Sequence, residues 1–507
     1  MRESAVTLKD IESAMRDQSS EAKALVEKAW HFGILAHADQ KRLSGELHFA
    51  GHVAFVALYL AEAGMDAETI AAGLLHDTLE DTDTKPETLE KEFGPEVLFL
   101  VDGVTKLGKL KYRGLERHVE SVRRLLIATA QDIRVVIIKL YDRLHNMETN
   151  HYHPDDRQKR KALETMEVYV PIAERLGIST IKTQLEDLAF KTLDPEHYEK
   201  AFRFLEDKHK QLENALDEDI KDLKKFLAES GMRKFRTEYR FKSIYSFHTK
   251  LLRKGGEVER VFDIIALRLI VPTIDECYRS LGVIHGFWRP IPGRVKDYIA
   301  FPKPNGYRSL HTTVITRRGV TLEVQIRTEE MHQEAQFGIA SHFNYKGGKQ
   351  SKSAADWFHR LLPSLMKTTT EHESAETPHW LKDLITAQKD HPDYEAFDEI
   401  LRQDFFAERM FVFTPKGDVI DLPTDATPVD FAYAIHSDIG DTLSGAKVDG
   451  KMVSLETPLQ NGNVVEIITK KGGVPNKKWL DFAKTAAARG HIRSALNKKE
   501  QTGRATR

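Results

Sequence analysis

The chain has 507 residues, which at roughly 100–200 residues per domain predicts three or four domains rather than one. Hydrophobic residues make up 41% and charged residues 30%, enough apolar material for several cores, so a disordered or fibrous protein is excluded. With 75 Lys and Arg against 77 Asp and Glu the net charge is -2, and any nucleic-acid contact must rest on local patches. The single cysteine, Cys277, permits neither an internal disulfide nor a cysteine-based zinc site and fits a reducing, cytoplasmic setting. The first residues lack the apolar core of a signal peptide and no apolar run approaches the roughly 18 residues of a membrane span, so neither secretion nor membrane insertion is expected.

Helical periodicity dominates residues 1–200. EKAWHFGILAHADQ, HVAFVALYLAEAG, AETIAAGLLHDTLED, VESVRRLLIATA, IRVVIIKLYDRLHNM and MEVYVPIAERLG repeat apolar residues at spacings of three and four, which predicts an all-α domain. A charge-rich, heptad-like stretch continues as helix through 201–234 and reads as a solvated connector. From 235 to 345, VFDIIALRLIV, HTTVITRRG and VTLEVQIRT alternate β-branched residues between Gly/Pro turns, predicting a mixed α/β domain. Residues 346–408 read as a helical, low-complexity linker, and 409–472 as a small β-rich unit with strands MFVFTP, DVIDLP and VVEIITK around the helix PVDFAYAIHS. The stretch from Lys470 to Arg507 carries eleven Lys or Arg against two Asp or Glu, which makes 473–507 a basic tail with helical potential from Trp479 onward.

The strongest local pattern in the first domain is His76-Asp77-Thr78-Leu79-Glu80-Asp81. Adjacent His76 and Asp77 can lean toward one metal, and a spacing of four stacks Glu80 over His76 and Asp81 over Asp77. Two further ligand candidates are His52, near the start of an apolar helix, and Asp142, placed directly after the apolar run Val135–Tyr141, where an unpaired carboxylate is costly. A set of two histidines and two aspartates suits Mn²⁺ or a related ion, with Glu80 and Asp81 positioning water or handling protons.

RLSGE (42–46), His52, GLLHDTLEDT (73–82) and KLYDRLHNMET (139–149) together resemble the HD-type hydrolase domain of the RelA/SpoT homologues, which remove pyrophosphate from the 3′ position of pppGpp and ppGpp. The resemblance implies that His52, His76, Asp77 and Asp142 hold manganese, that Glu80 and Asp81 are catalytic, and that Arg42, Ser44 and Asn146 touch the nucleotide. Leu43 and Val53 depart from that family's basic residue and proline, and there is one extra residue between SGE and His52; the metal set is complete, while weaker nucleotide affinity is expected.

In the central domain Arg240, Lys242, Ser243 and Lys250 offer a triphosphate site and Arg268 a flat guanidinium for a base. Asp263 and Glu323 lie on apolar strands, as a Mg²⁺–nucleotide site requires of its two carboxylates. The loop PKPNGYRSLHTT supplies Lys303, Asn305, Tyr307 and His311. Neither a Walker-type loop nor GxGxxG is present, which speaks against P-loop and Rossmann domains.

FKSIYS, FDIIALRLIV, CYRSLGVIHGFWRPIPGRVKDYIAFPKPNGYRSLHTTV and LEVQIRTEEMH resemble the RelA/SpoT synthetase domain, a nucleotidyltransferase-like α/β fold that transfers the β,γ-pyrophosphate of ATP to the 3′-hydroxyl of GDP or GTP. That likeness implies Mg²⁺ on Asp263 and Glu323, with Glu323 also drawing the 3′-hydroxyl proton. It gives ATP to Arg240, Lys242, Ser243, Lys250 and Arg268, and the guanine nucleotide to Lys303, Asn305, Tyr307 and His311. Arg294-Val295-Lys296-Asp297 matches the form found in bifunctional members.

Residues 410–471 resemble a TGS domain, a β-grasp module, with His436 matching an RNA-contacting histidine and the basic tail suiting a ribosome or tRNA partner. The whole reads as a bifunctional (p)ppGpp synthetase and hydrolase. Three rival readings are a synthetase with a regulatory HD domain, a non-enzymatic RNA-associated regulator with decayed sites, and a general metal phosphohydrolase. Decay predicts lost carboxylates, whereas Asp77, Asp142, Asp263 and Glu323 are all present. A general phosphohydrolase leaves the ATP cations without a purpose.

Overall fold

A computed structural model of the chain describes residues 5–108, 132–256, 264–303, 306–338 and 409–496, apart from Asp418, Asn461, Lys471, Ala486 and Ala487. The sequence-predicted helix VESVRRLLIATA, the linker 346–408, Asp263 and Asn305 lie outside the described residues. The chain divides into two compact units, the first holding the described residues up to 338 and the second those from 409 onward.

The N-terminal lobe of the first unit is helical: α1 (Leu8–Ala14), α2 (Ser20–Ala36), α3 (Ala54–Glu62), α4 (Ala67–Leu75), α5 (Thr78–Asp81), α6 (Pro86–Gly108), α7 (Ile133–Glu148), α8 (Asp155–Glu164), α9 (Val170–Arg175) and α10 (Ser179–Leu193). Its core is built from the apolar stripes visible in the sequence, with Val56, Leu60, Ile70, Leu74, Val136 and Ile137 fully buried. Side-chain caps start α1 (Thr7), α2 (Ser19), α4 (Asp66) and α7 (Asp132). Gly33 lets α2 pass close to Phe49 and to the backbone of α4, where a Cβ would collide.

Helix α11 (Pro195–Glu229) runs for 35 residues into the second lobe. It is not the solvated connector its charge suggests. Leu216, Ile220, Leu223 and Leu227 recur every three or four residues and join the core under the sheet, beside them the buried Asp219 pairs with Arg318 at 2.8 Å, and most other charged residues lie on the outer side.

That sheet has six strands: β1 (Arg236–Phe241), β2 (Ile265–Val271), β6 (Thr321–Thr328) and β5 (Leu310–Ile315) lie side by side, with β3 (Arg289–Pro290) and β4 (Lys296–Asp297) both on β5. The β2–β6 pair is parallel and the others antiparallel. Ile265, Leu267 and Leu269 on β2 and Leu322, Val324 and Ile326 on β6 face α11 and α13 (Ile274–Phe287) in one core. Strand alternation therefore turns the intervening polar residues to the opposite face. Helices α12 (Ile244–Arg253) and α14 (Glu329–Phe337) complete the lobe.

The second unit pairs β7 (Arg409–Phe413) with β8 (Val419–Pro423), and β9 (Leu443–Val448) with β10 (Lys451–Val453) and β11 (Val465–Thr469), around α15 (Pro428–Ile435) and the short α16 (Ser437–Asp441). Asp430, fully buried on α15, accepts the amides of Lys484 and Thr485 and so ties the basic stretch to the grasp helix. A 3₁₀ turn at Lys477–Asp481 and a helix over 488–496 replace the single helix expected from Trp479. Among the described residues no helix is long and apolar enough to cross a membrane.

Candidate active sites

In the helical lobe four segments converge. Helix α4 ends at Leu75 and α5 begins at Thr78, so His76 and Asp77 occupy a break rather than one continuous helix. Asp81 still donates its amide to the Asp77 carbonyl at 2.9 Å, and the expected stacking of Asp81 over Asp77 holds. His52 arrives from a π-helical turn, Phe49–Val53, at the start of α3, and Asp142 from the middle of α7.

His52 Nε2 lies 3.2 Å from Asp142 Oδ1 and 3.7 Å from Asp77 Oδ2. His76 Nε2 lies 3.2 Å from Asp77 Oδ1 and 4.0 Å from Asp142 Oδ1. The His76 Nδ1–H donates to the Gly73 carbonyl at 2.7 Å, which fixes the tautomer and leaves Nε2 a bare, buried lone pair with no hydrogen-bond partner among the described residues. A lone pair facing two carboxylate oxygens is repulsive unless a cation sits between them. His52, His76 and Asp142 thus form a group able to hold a divalent metal ion, with Asp77 reaching the same space from beside His76.

The surroundings keep these groups in ligand form. Burial pushes the His52 imidazole down to about 4, so it is neutral at pH 7. Burial alone would raise Asp142, but Lys139, 2.6 Å away, and His52 hold it well below the usual carboxylate range. Asp77 is likewise held low against burial by His76 and His48. Burial shifts Glu80 and Asp81, at the rim, upward, the direction that favours exchange of protons.

Three partners escaped the sequence reading. His48 donates to or accepts from Asp77 Oδ2 at 3.0 Å, His145 meets His52 Nδ1 at 2.9 Å, and Lys139 holds Asp142. Helical spacing was the available signal: His48 stands four residues before His52, while Lys139, Asp142 and His145 are three apart on one face of α7. Arg42 sits inside the site, donating to the Gly51 carbonyl at 3.0 Å, Asn146 Oδ1 at 3.2 Å and Thr149 Oγ1 at 3.0 Å. Asn146 also donates to Asp142. Leu43 is exposed and Ser44 half-buried in a turn that Gly45 closes at φ 87, and buried Val53 faces the core.

The second constellation lies on the polar face of the sheet. Strand register places Arg240, Ala266, Glu323 and Thr313 in one row across β1, β2, β6 and β5, and Glu238, Arg268, Gln325 and His311 in the next. Tyr307 OH donates to His311 Nε2 at 2.8 Å, and His311 Nδ1–H donates to Glu323 Oε1 at 3.0 Å; burial keeps His311 on the neutral side. Gln325 donates to the other Glu323 oxygen at 3.1 Å. Lys303 Nζ lies 5.0 Å from the Tyr298 ring centre and 5.3 Å from that of Tyr307.

Cations on this face are in excess. Burial, with Arg327 and Arg240 nearby, lowers the Arg268 guanidinium to about 10, and its Nε has no partner among the described residues. Ser243 caps α12 and follows Lys242; Lys250 stands in the last turn of that helix. Asp187 of α10 accepts the amides of Ile244 and Tyr245, so the helical lobe helps to seat α12. Asp297, in the Arg294–Asp297 segment, accepts from the Tyr278 hydroxyl at 2.9 Å. In the second unit His436 caps α16 through Nδ1 and its side chain is 62% exposed, which leaves the ring open to contact.

Family profiles match in the same order: an HD domain over 29–179, a region found in RelA/SpoT proteins over 239–350 and a TGS domain over 410–469. The chain carries the set of domains found in RelA/SpoT proteins. It is 45% identical over 483 residues to a guanosine-3′,5′-bis(diphosphate) 3′-pyrophosphohydrolase of Aquifex aeolicus, covering 94% of this chain and 65% of that relative. A GTP pyrophosphokinase of Myxococcus xanthus is 43% identical over 481 residues (94% and 61%). The bifunctional (p)ppGpp synthase/hydrolase SpoT of Escherichia coli is 42% identical over 462 residues (91% and 63%). The chain therefore spans just under two thirds of the length of these relatives. Its architecture is that of an all-α HD domain, a mixed α/β synthetase domain and a β-grasp TGS domain.

Proposed function

We propose that the chain is a bifunctional alarmone enzyme. On the sheet face it transfers pyrophosphate from ATP to the 3′-hydroxyl of GDP or GTP, and at the HD site it removes that pyrophosphate again. The observation that carries this reading is the presence, in one compact unit, of two separate constellations, each with its own carboxylates: the buried His/Asp group around Asp142 and the Glu323 row on the sheet.

At the HD site His52, His76, Asp77 and Asp142 would hold Mn²⁺, which lowers the pKa of a bound water and polarises a phosphate. Lys139, His48 and His145 orient those ligands. Glu80 and Asp81 exchange protons with the attacking water and the departing pyrophosphate. Arg42, Ser44 and Asn146 face the nucleotide.

On the sheet Glu323 accepts the 3′-hydroxyl proton and, with Asp263, would bind Mg²⁺. His311 and Gln325 both donate to the Glu323 carboxylate and so orient it. Arg240, Lys242, Ser243, Lys250 and Arg268 serve ATP, while Lys303, Asn305, Tyr307 and His311 serve the acceptor. The work is positioning and charge neutralisation of a transferring group, with little covalent chemistry for the protein. His436 and the basic residues after 470 fit an RNA partner such as tRNA or the ribosome, in a cytoplasmic setting.

Incubating the purified chain with ATP and GDP, and separately with ppGpp and Mn²⁺, and resolving the nucleotides tests both halves. Formation of ppGpp in the first tube and release of GDP in the second is expected. Absence of either product removes that half of the proposal.

A further inference from the structure

Three half-buried cations of the helical lobe pair with carboxylates, Lys139 with Asp142 at 2.6 Å, Arg143 with Glu164 at 3.1 Å and Arg134 with Asp132 at 2.7 Å, whereas Arg42 bonds instead to Gly51, Asn146 and Thr149. Lys161 on α8 departs from the three. It is half-buried, and among the described residues no carboxylate oxygen comes within ion-pair distance of it. Its ammonium instead donates to His153 Nε2 at 2.9 Å. That bond places the ring proton of His153 on Nδ1, which is buried and has no acceptor.

Arg157 stands midway. Arg157 and Lys161 are four apart on α8 and share one side, His153 precedes the helix in extended backbone and meets Lys161 through the bond just described, and Arg157 is exposed with no ion-pair partner among the described residues. Burial together with Arg143 and Arg157 pushes the Lys161 ammonium down to about 8, the direction that an added anion would reverse. Arg42, already bonded to Asn146 and Thr149 beside the metal group, is close enough to act on both Lys161 and His153. The cluster therefore borders the HD site, on the side opened by the end of α7.

We infer that His153, Arg157 and Lys161 form a phosphate subsite of the HD centre that takes the 5′-diphosphate of ppGpp while the 3′-diphosphate lies at the metal group. This inference rests on the hydrolase half of the proposed function. Three donor groups without an anionic partner supply what a polyphosphate lacks, and the phosphate supplies the acceptor that the buried His153 Nδ1–H requires. Energy from this non-reacting end of the substrate would be realised as affinity, equally in ground and transition states.

The test compares two substrates in the full chain with Mn²⁺: ppGpp, and guanosine carrying only the 3′-diphosphate. Lys161→Met is expected to raise KM for ppGpp about tenfold, with kcat within about twofold of the parent, and to leave KM for the 3′-only nucleotide unchanged. Lys161→Arg should restore most of the affinity, and Arg157→Ala should raise KM for ppGpp less, with a stronger dependence on salt. If Lys161→Met affects both substrates equally, or neither, while the parent turns over both, the subsite is wrong and the hydrolase reading stands. If the parent releases pyrophosphate from neither substrate, the hydrolase reading falls and the subsite with it. Circular dichroism melting of each variant separates loss of affinity from loss of fold.

Discussion

The two sites of the first unit solve opposite electrostatic problems. Around Asp142 every charge has a neighbour: Lys139, His52 and Asn146 surround one carboxylate, and His48 and His76 the other. The sheet face holds Arg240 and Arg268 with the fully buried Arg327, two of whose nitrogens lack partners among the described residues. One site is assembled before its substrate arrives, with ligand atoms of His52, His76 and Asp142 within 4.8 Å of one another. The other carries positive charge that substrate phosphates would neutralise, so its strength is realised only in the complex. Loss of one carboxylate should therefore damage the first site through the missing ligand and the second through the missing base.

Asp142→Asn is the severest way to break this comparison. It keeps the volume but removes a ligand charge and leaves Lys139 buried without its counter-ion, 2.6 Å away in the parent. Loss of several kcal/mol of metal-centred stabilisation corresponds to a fall of at least about a thousandfold in ppGpp hydrolysis. Pyrophosphate transfer from ATP should stay within about twofold. Parallel loss of both activities in a variant that melts like the parent would mean the two sites are one functional unit.

Glu323→Gln makes the reciprocal break. The amide retains a link to His311 or Gln325 but cannot accept the 3′-hydroxyl proton, so transfer should fall by about a hundredfold or more, the low end for a missing general base. Hydrolysis of ppGpp should be untouched. Single-turnover transfer near the parental rate would remove Glu323 from the chemistry and leave it a structural partner of His311.

Legibility in the sequence differs between the sites for a physical reason. The metal group is announced by residue types that are costly to bury, so His76, Asp77 and Asp142 stand out from apolar helices. The residues that orient them do not, because His48, Lys139 and His145 read as ordinary polar positions until the helices pack. On the sheet, β alternation made the strands legible, and it also selects the face that Glu323, Arg268 and His311 share. Charge count misread α11, since a helix can be highly charged outside and still bury a largely apolar stripe such as the one holding Leu216 and Leu223. The break at His76–Asp77 was equally hidden, because TLED continues a helical pattern across it.

The smallest expected effect sharpens the comparison at the rim of the HD site. Leu43 takes the position at which the RelA/SpoT resemblance implies a cation, next to Arg42, whose guanidinium turns inward to Gly51 and Asn146, while Leu43 itself is 65% exposed. A lysine there would project into solvent at the mouth of the site, where an ionic contact is worth about 0–1 kcal/mol. Leu43→Lys should accordingly lower KM for ppGpp hydrolysis by no more than about fivefold, with kcat unchanged. The gain should vanish near 1 M salt, where the screening length falls to about 3 Å. Lys161→Met, by contrast, removes a half-buried donor that salt screens less, so its effect should survive much of the same titration. An equal salt response for the two variants would place Lys161 on the open surface, and a change in kcat for Leu43→Lys would bring the turn at Gly45 into contact with the reacting phosphate.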